Sequence, residues 1–208
     1  MMKTNLIGKY RTPASFSDII VRSDGESLVG LHFDAMNHGG IPEPIPMAET
    51  MPVFGEACRW LDIYFSGRQP DFVPAYRLLG ATPFRSEVMS MLLGIPFGET
   101  VTYGYIASVL SEKHGIKMAA RAVGSAVGWN PICLIIPCHR VIGANFQLTG
   151  YSSGLANKRA LLELEGHDIS RYVQPPPKDK QEKSVLNELP FPGSAFTQRY
   201  TGKTNGHS

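Results

Sequence analysis

Leu134-Ile135-Ile136-Pro137-Cys138-His139-Arg140-Val141 is an apolar run that ends in a proline and then delivers a thiol and an imidazole side by side. A short apolar run bounded by proline predicts a buried strand over 134–136. Neighbouring side chains on an extended segment point to opposite faces, so a contact between Cys138 and His139 requires the chain to bend there. That makes Cys138 a candidate nucleophile, since the thiolate is the reactive form and needs cationic or hydrogen-bonding surroundings. A buried structural cysteine beside a surface histidine is the competing reading of the dipeptide alone.

Upstream of this stretch the period is helical. Thr82-Pro83 pairs a hydroxyl cap with proline at the first helical position, which predicts a helix over 83–94 with Phe84, Val88, Met91 and Leu92 inward. Thr102 caps a second helix, 103–111, with Tyr103, Ile106, Ala107 and Leu110 on one side. Ala119 to Val127 forms a third, built of small residues and bearing Arg121. Two short helices joined by a turn, the second small-sided, fit a helix-turn-helix. Small residues suit a helix entering a nucleic-acid groove and equally suit close packing in a core. Gly128-Trp129-Asn130-Pro131 then turns the chain towards Cys138.

Downstream, Gly143-Ala144-Asn145-Phe146 is a turn, and Leu148-Thr149-Gly150-Tyr151-Ser152-Ser153-Gly154 a glycine- and hydroxyl-rich loop before a helix over 155–164. Glu163 and Glu165 sit at the end of that helix, where the dipole disfavours a carboxylate, so one of them is a candidate for engagement elsewhere. Beyond Ser170 core-forming residues thin out, and 170–208 reads as a largely flexible tail in which Leu189-Pro190-Phe191-Pro192 is a candidate clamp.

The front of the chain is different again. Ser17 to Arg22 and Ser27 to Phe33, with turn residues between, predict a hairpin that needs more sheet or a covering helix. Prolines at 42, 44, 46 and 52 predict a long irregular connection. Phe54, Cys58, Leu61 and Phe65 then recur at helical spacing over 54–66, with Cys58 in the core and Gly67 as the stop. Gln69 to Ala81 reads as a linker.

With 208 residues, 43% of them hydrophobic, the chain can build a real core. Its net charge of +2 excludes the strong field of a histone-like partner, though not a local basic patch. Residues 1–81 carry seven Lys/Arg against nine Asp/Glu, and 82–165 seven against five, so the cysteine-bearing segment is mildly basic. Three cysteines without framework spacing suit free thiols in a reducing compartment. No signal peptide or membrane span is visible, which makes the cytoplasm the expected location (the nucleus for a eukaryotic source). Zinc finds weak support, because Cys133 and Cys138 do not form a CxxC pair. A cysteine hydrolase with Glu165 as orienting acid, and a nucleic-acid enzyme that encloses an extruded base, both remain open on the residues alone.

The ordered motifs settle the choice by resemblance. Thr82-Pro83-Phe84-Arg85, Val101-Thr102-Tyr103-Gly104, Arg121-Ala122-Val123-Gly124, Asn130-Pro131, Pro137-Cys138-His139-Arg140-Val141, Ile142-Gly143, Leu148-Thr149-Gly150-Tyr151 and Glu165-Gly166 together resemble the O(6)-alkylguanine-DNA alkyltransferases. The front, with Ala57-Cys58-Arg59-Trp60-Leu61 and Tyr64-Phe65-Ser66-Gly67, resembles that family's N-terminal domain more loosely. The likeness implies an α/β ribonuclease-H-like N-terminal domain with linker over 1–81. It implies a mainly α, winged-helix-like acceptor domain with a helix-turn-helix over 82–169.

It further implies a direct-reversal repair reaction in which Cys138 takes an alkyl group from guanine O6 once and irreversibly, with no cofactor and no metal; O4-alkylthymine is a possible further substrate. His139 would be the base through a water, Glu165 its orienting acid, Tyr103 the group that protonates or stabilises the leaving guanine, and Asn130 a brace. Arg121 would fill the gap left by the flipped nucleotide. Ala119, Ala122 and Gly124 would lie in the minor groove of double-stranded DNA, and Arg85 and Arg140 (with Lys117) would add cationic contacts. Pro137, Val141, Tyr151, Ser152 and Trp129 would line the lesion pocket of a protein that is monomeric in free solution. Many relatives carry a glycine in the turn where this chain has Asn145-Phe146, and Tyr-x-Gly-Gly where it has Tyr151-Ser152-Ser153-Gly154, so Phe146 and Ser153 bear on pocket size. A cysteine hydrolase and a non-catalytic DNA-binding module are the alternatives.

Overall fold

The computed structural model describes residues 6–34 and 51–174. The connection carrying Pro42, Pro44 and Pro46 and the clamp at Leu189-Pro190-Phe191-Pro192 lie outside them. Three antiparallel strands open the chain: β1 (Leu6–Tyr10), β2 (Ile19–Ser23) and β3 (Leu28–Phe33), in that spatial order. The hairpin expected from the sequence is β2–β3, turned by Asp24, whose carboxylate accepts from the Glu26 and Ser27 amides. β1 supplies the additional strand the hairpin requires, with Tyr10 opposite Ile19.

Helix α1 (Pro52–Phe65) covers the sheet. Pro52, assigned to the irregular connection by the sequence reading, is instead its first residue, where a missing N–H costs nothing. Val53, Phe54, Ala57, Trp60, Leu61 and Tyr64 are buried, so the inward face is rotated from the expected stripe and leaves Cys58 and Phe65 half-buried at its margins. Full burial of Leu61 alone contributes about 1.5–3 kcal/mol. The 69–81 segment is more than a linker: Tyr76 bridges Leu28, with amide–carbonyl bonds of 2.8 Å on either side.

The remainder is mainly helical: α2 (Pro83–Leu93), β4 (Val101–Thr102), α3 (Tyr103–His114), α4 (Ala120–Gly128), β5 (Val141–Ile142) and α5 (Leu155–Leu164). Thr82 and Thr102 cap α2 and α3 as expected, accepting from the Arg85 and Tyr105 amides. On α2 the inward residues are Val88, Met89 and Leu92, with Phe84 and Met91 at the edge. α3 runs on to His114 and stops at Gly115, which takes the left-handed conformation of a helix end. α3 and α4 pack together as the helix-turn-helix, and β4 pairs in parallel with β5. Packing continues past residue 170, with Ile169 and Tyr172 buried against Leu148 and Leu162.

The strand expected over 134–136 is a correction. Cys133 folds back onto Ile136 across a turn in which the Ile135 amide donates to the Cys133 carbonyl at 2.9 Å and Leu134 has φ 71°. This three-residue turn with positive φ is a strained form. The run is apolar because all of it is buried, and burial without alternation does not identify a strand. The sheet reaches this turn directly: the Leu31 amide donates to the Pro131 carbonyl, and the Cys133 amide to the Leu31 carbonyl, both at 2.8 Å. Residues of the sheet, α1, α2, α3 and α4 and the 132–138 stretch share one hydrophobic cluster. Among the described residues no helix is long and apolar enough to cross a membrane.

Candidate active site

The bend that Cys138 needs comes from Pro137. With φ −82° and ψ 65° it centres a three-residue turn closed by the Cys138 amide donating to the Ile136 carbonyl at 2.8 Å. Proline's ring fixes φ close to this value, so the kink is written into the residue type. A 3₁₀ turn over Cys138–Arg140 follows and brings thiol, imidazole and guanidinium inward together. Asn130 braces the arrangement. Its side-chain amide donates to the Ile136 carbonyl at 2.7 Å while its oxygen accepts from the Ile132 amide at 3.0 Å.

Two thiols are buried here, and they differ. Cys138 is held below its usual range, first by hydrogen bonding from the Cys133 side chain, which with Asn130 and the Lys158 ammonium outweighs the opposing effect of burial. Cys133 is pushed up by that same contact and by burial, and its Sγ lies 3.8 Å from the Asn130 carbonyl. Cys138 is therefore the more acidic of the two. A cavity of about 450 Å³ opens between Arg22, Gly30, His32 and Phe33 of the β2–β3 hairpin and Asn130, Cys133, Ser152 and Ser153; Cys138 does not line it.

His139 is fully buried, and its Nε2 lies 2.8 Å from Glu165 Oε1. Glu165 is the engaged carboxylate, while Glu163 is exposed. Arg140 binds Glu165 with both Nε (2.9 Å to Oε2) and Nη2 (2.9 Å to Oε1), and the Gly98 amide donates to Oε2 at 3.1 Å. Gly98 has φ 76°, and a Cβ there would stand 3.2 Å from the Glu165 carbonyl, so the approach requires glycine. Burial would raise the Glu165 carboxyl, but the His139 and Arg140 contacts outweigh it and hold it well below the usual carboxylate range. Burial lowers His139 despite Glu165, leaving a neutral imidazole able to accept a proton. With the Nε2 proton directed at Glu165, the lone pair falls on Nδ1, which is buried and has no protein partner among the described residues.

Tyr103 donates to the Thr149 carbonyl at 3.2 Å or the Gly150 carbonyl at 3.3 Å. Burial first, and then the Cys138 charge, push its hydroxyl up to about 12. Tyr151 is partly buried, with its hydroxyl oxygen enclosed and unpartnered among the described residues.

This constellation has a counterpart among known proteins. A family profile described as "6-O-methylguanine DNA methyltransferase, DNA binding domain" matches residues 83–167. A methylated-DNA--protein-cysteine methyltransferase of Methanosarcina acetivorans is 44% identical over 148 residues, spanning 71% of this chain and 91% of its own. The chain belongs to the methylated-DNA--protein-cysteine methyltransferase family. The Mycobacterium leprae member is 51% identical over 116 residues, covering 56% of this chain and 67% of its own. The crystal structure of the Mycobacterium tuberculosis O6-methylguanine methyltransferase superposes with a TM-score of 0.61 at 37% identity, over 81% of this chain and 96% of that one. The M. tuberculosis protein in complex with DNA gives 0.61 at 38%, over 79% and 94%. The two-part architecture, a mixed sheet-and-helix N-terminal domain and a mainly helical C-terminal domain, is that of these methyltransferases.

Within this family member, the residues expected at DNA do not all share one setting. Ala119, Arg121 and Ala122 are exposed on the leading turn of α4, as is Lys117 before it. Gly124 faces the Tyr103 ring, where a Cβ would sit at ordinary contact distance, 3.8 Å. Arg140 is a correction: it is buried, its guanidinium is taken up by Glu165 and the Ile95 carbonyl, and it presents no charge to a phosphate. Trp129 is half-buried, with its ring under the Arg85 guanidinium at 4.9 Å. Pro137 and Val141 are buried at the acceptor turn, and Ser152 is exposed at its rim. Phe146 turns outward onto Tyr172 and Arg171, whereas Ser153 is buried.

Two residues have contacts at the site that the sequence motifs do not assign. Lys158 is fully buried and donates to the Val141 and Thr149 carbonyls. Burial lowers it to about 8 against the pull of the Cys138 charge. Its signal was present, because Leu155, Lys158, Leu162 and Glu165 fall on one helical face and two of the four are charged. The other is Tyr64, whose hydroxyl donates to Glu165 Oε1 at 2.7 Å.

Proposed function

We propose that the protein repairs O6-alkylguanine in duplex DNA by direct reversal, transferring the alkyl group once and irreversibly to Cys138. The observation that carries this is the buried Cys138 thiol on a proline-set turn, followed by a His139 whose Nε2 is held 2.8 Å from Glu165 and whose Nδ1 is unpartnered among the described residues. The thiol proton passes through a water to His139 Nδ1, and the resulting imidazolium is stabilised by Glu165. The thiolate then attacks the alkyl carbon in line. A C–S bond forms, the C–O bond breaks, and its electron pair stays on guanine. Tyr103, kept protonated by its raised pKa, hydrogen-bonds the departing base and spreads that charge. Lys158 supports the thiolate electrostatically and ties the Val141 and Thr149 carbonyls of the pocket together.

The thiol is buried, so the target nucleotide has to leave the stack to reach it. The exposed small face of α4 suits the minor groove, with Ala119 and Ala122 against its floor and Arg121 replacing the extruded nucleotide. Arg85, propped on Trp129, and Lys117 are placed for phosphates. Tyr151 and Ser152 line the pocket, whose guanine-reading carbonyls include that of Val141. The protein acts as a monomer in free solution, in the cytoplasm or in the nucleus of a eukaryote, and its acceptor domain spans 82–169. Mixing it with an O6-methylguanine duplex should add about 14 Da, located on the Cys138 peptide. An unmodified Cys138 after lesion binding would reject the assignment.

A further inference from the structure

Tyr64 belongs to α1, in the N-terminal domain, yet its hydroxyl reaches into the pair that handles the proton. It lies 2.7 Å from Glu165 Oε1 and 3.2 Å from His139 Nε2, which is itself 2.8 Å from the same carboxylate oxygen. The ring has no freedom to swing away. It stacks on Trp60 at 5.3 Å and stands edge-on to Phe65, Phe97 and His139. Burial and the neighbouring carboxylate push the phenol well above its usual range, so it remains an O–H donor.

We propose that Tyr64 is a positioning residue for the alkyl transfer: its hydroxyl, set between Glu165 Oε1 and His139 Nε2, keeps the imidazole proton on Nε2 and the basic lone pair on Nδ1. This rests on the alkyl-transfer reading above and makes the N-terminal domain part of the reaction machinery. The reason lies in proton counting. Tyr64 has one hydrogen, and the 2.7 Å contact places it on Glu165. Its lone pairs then face the Nε2–H, which Glu165 and Tyr64 share. A proton on Nδ1 instead would leave Nε2 as an acceptor facing an acceptor, Glu165 Oε1, which is unfavourable in a buried site. Tyr64 also draws charge from Glu165. Without it the carboxylate would grip an imidazolium more strongly and raise the His139 pKa. The weaker 3.2 Å contact works in the opposite sense, and the shorter bond decides the direction.

His139 is faced by Tyr64 from α1, by Arg140 from its own turn, by Lys158 from α5 and by Glu165 just beyond it, and Tyr151 and His167 in turn feel the Glu165 charge. Of these, only Tyr64 is altered in the Tyr64→Phe variant, which preserves the ring. Its single-turnover rate on an O6-methylguanine duplex should fall about tenfold at neutral pH, with the acid limb of the pH–rate profile moved to higher pH and lesion binding unchanged. A parent-like profile, or a slower rate with the parent's acid limb, would reduce Tyr64 to packing and overturn the proposal. Should the variant not fold, ¹⁵N signals of the His139 ring in the full-length parent still decide. A proton on Nε2 at neutral pH supports the proposal, and a proton on Nδ1 overturns it. If the parent itself gains no alkyl group, the alkyl-transfer reading fails, a result distinct from a parent that reacts and a Tyr64→Phe variant that reacts equally well.

Discussion

The acceptor turn around Cys138 and the leading turn of α4 serve one reaction but are built on opposite principles. At the turn the polar groups are enclosed and, His139 Nδ1 aside, answered: Glu165 meets His139, Arg140, Tyr64 and Gly98, and Asn130 holds both sides of the loop. On α4, Ala119, Arg121 and Ala122 stand exposed, and the helix begins without a side-chain cap. The enclosed site fixes atoms for chemistry, and there a lost partner is costly because no water replaces it. The open face keeps its groups available for a partner, so changes there should spare the fold and impair the encounter.

That contrast can be broken in several places. Cys138→Ala should abolish alkyl transfer altogether while lesion binding persists, as a gel-shift with an O6-methylguanine duplex would show; residual transfer would place the acceptor elsewhere. Glu165→Ala should be the most damaging of the conservative-sized changes to stability, costing about 3–5 kcal/mol in denaturant unfolding because it strands Arg140 and His139. A loss below about 1 kcal/mol would mean the network is not enclosed as described.

The sequence displayed these two regions unequally. Helix caps at Thr82 and Thr102, the β2–β3 hairpin and the Cys138–His139 bend follow from local chemistry, and all could be read directly. The 134–136 turn could not, because a buried apolar run carries no period that separates strand from turn. Arg140 was placed with the DNA-facing cations because a sequence shows charge but not its partner. Its partner, Glu165, is 25 residues away. Tyr64 was hidden for the same reason at greater range, 101 residues from that carboxylate, and it looks like any aromatic on a helix stripe.

Acid should distinguish the regions too. The folded pKa of Glu165 is depressed, so its contribution is present above the ordinary carboxylate pKa and is lost as pH falls through the folded value. His139 is also depressed, and protonation of the unfolded chain below about pH 6.5 acts in the same direction. Stability should therefore decline from about pH 6.5 downward, and Glu165→Gln should flatten the carboxylate part of that decline; an unchanged slope in the variant would contradict the assignment. The smallest effect on the fold is expected from Arg121→Ala, within about 0.5 kcal/mol of the parent. Its transfer from duplex DNA should slow at least about tenfold, while its reaction with a free O6-alkylated base is spared. Equal slowing on both substrates would move Arg121 from base extrusion to the acceptor site.

Irreversible transfer to Cys138 consumes one sulfur per protein molecule. Titrating the full-length protein with an excess of O6-methylguanine duplex and counting repaired lesions tests it most directly. A plateau is expected at about one lesion repaired per chain, matched by full occupancy of Cys138 as a thioether. Repair that continues beyond one equivalent, or a plateau reached with Cys138 still a free thiol, would contradict it.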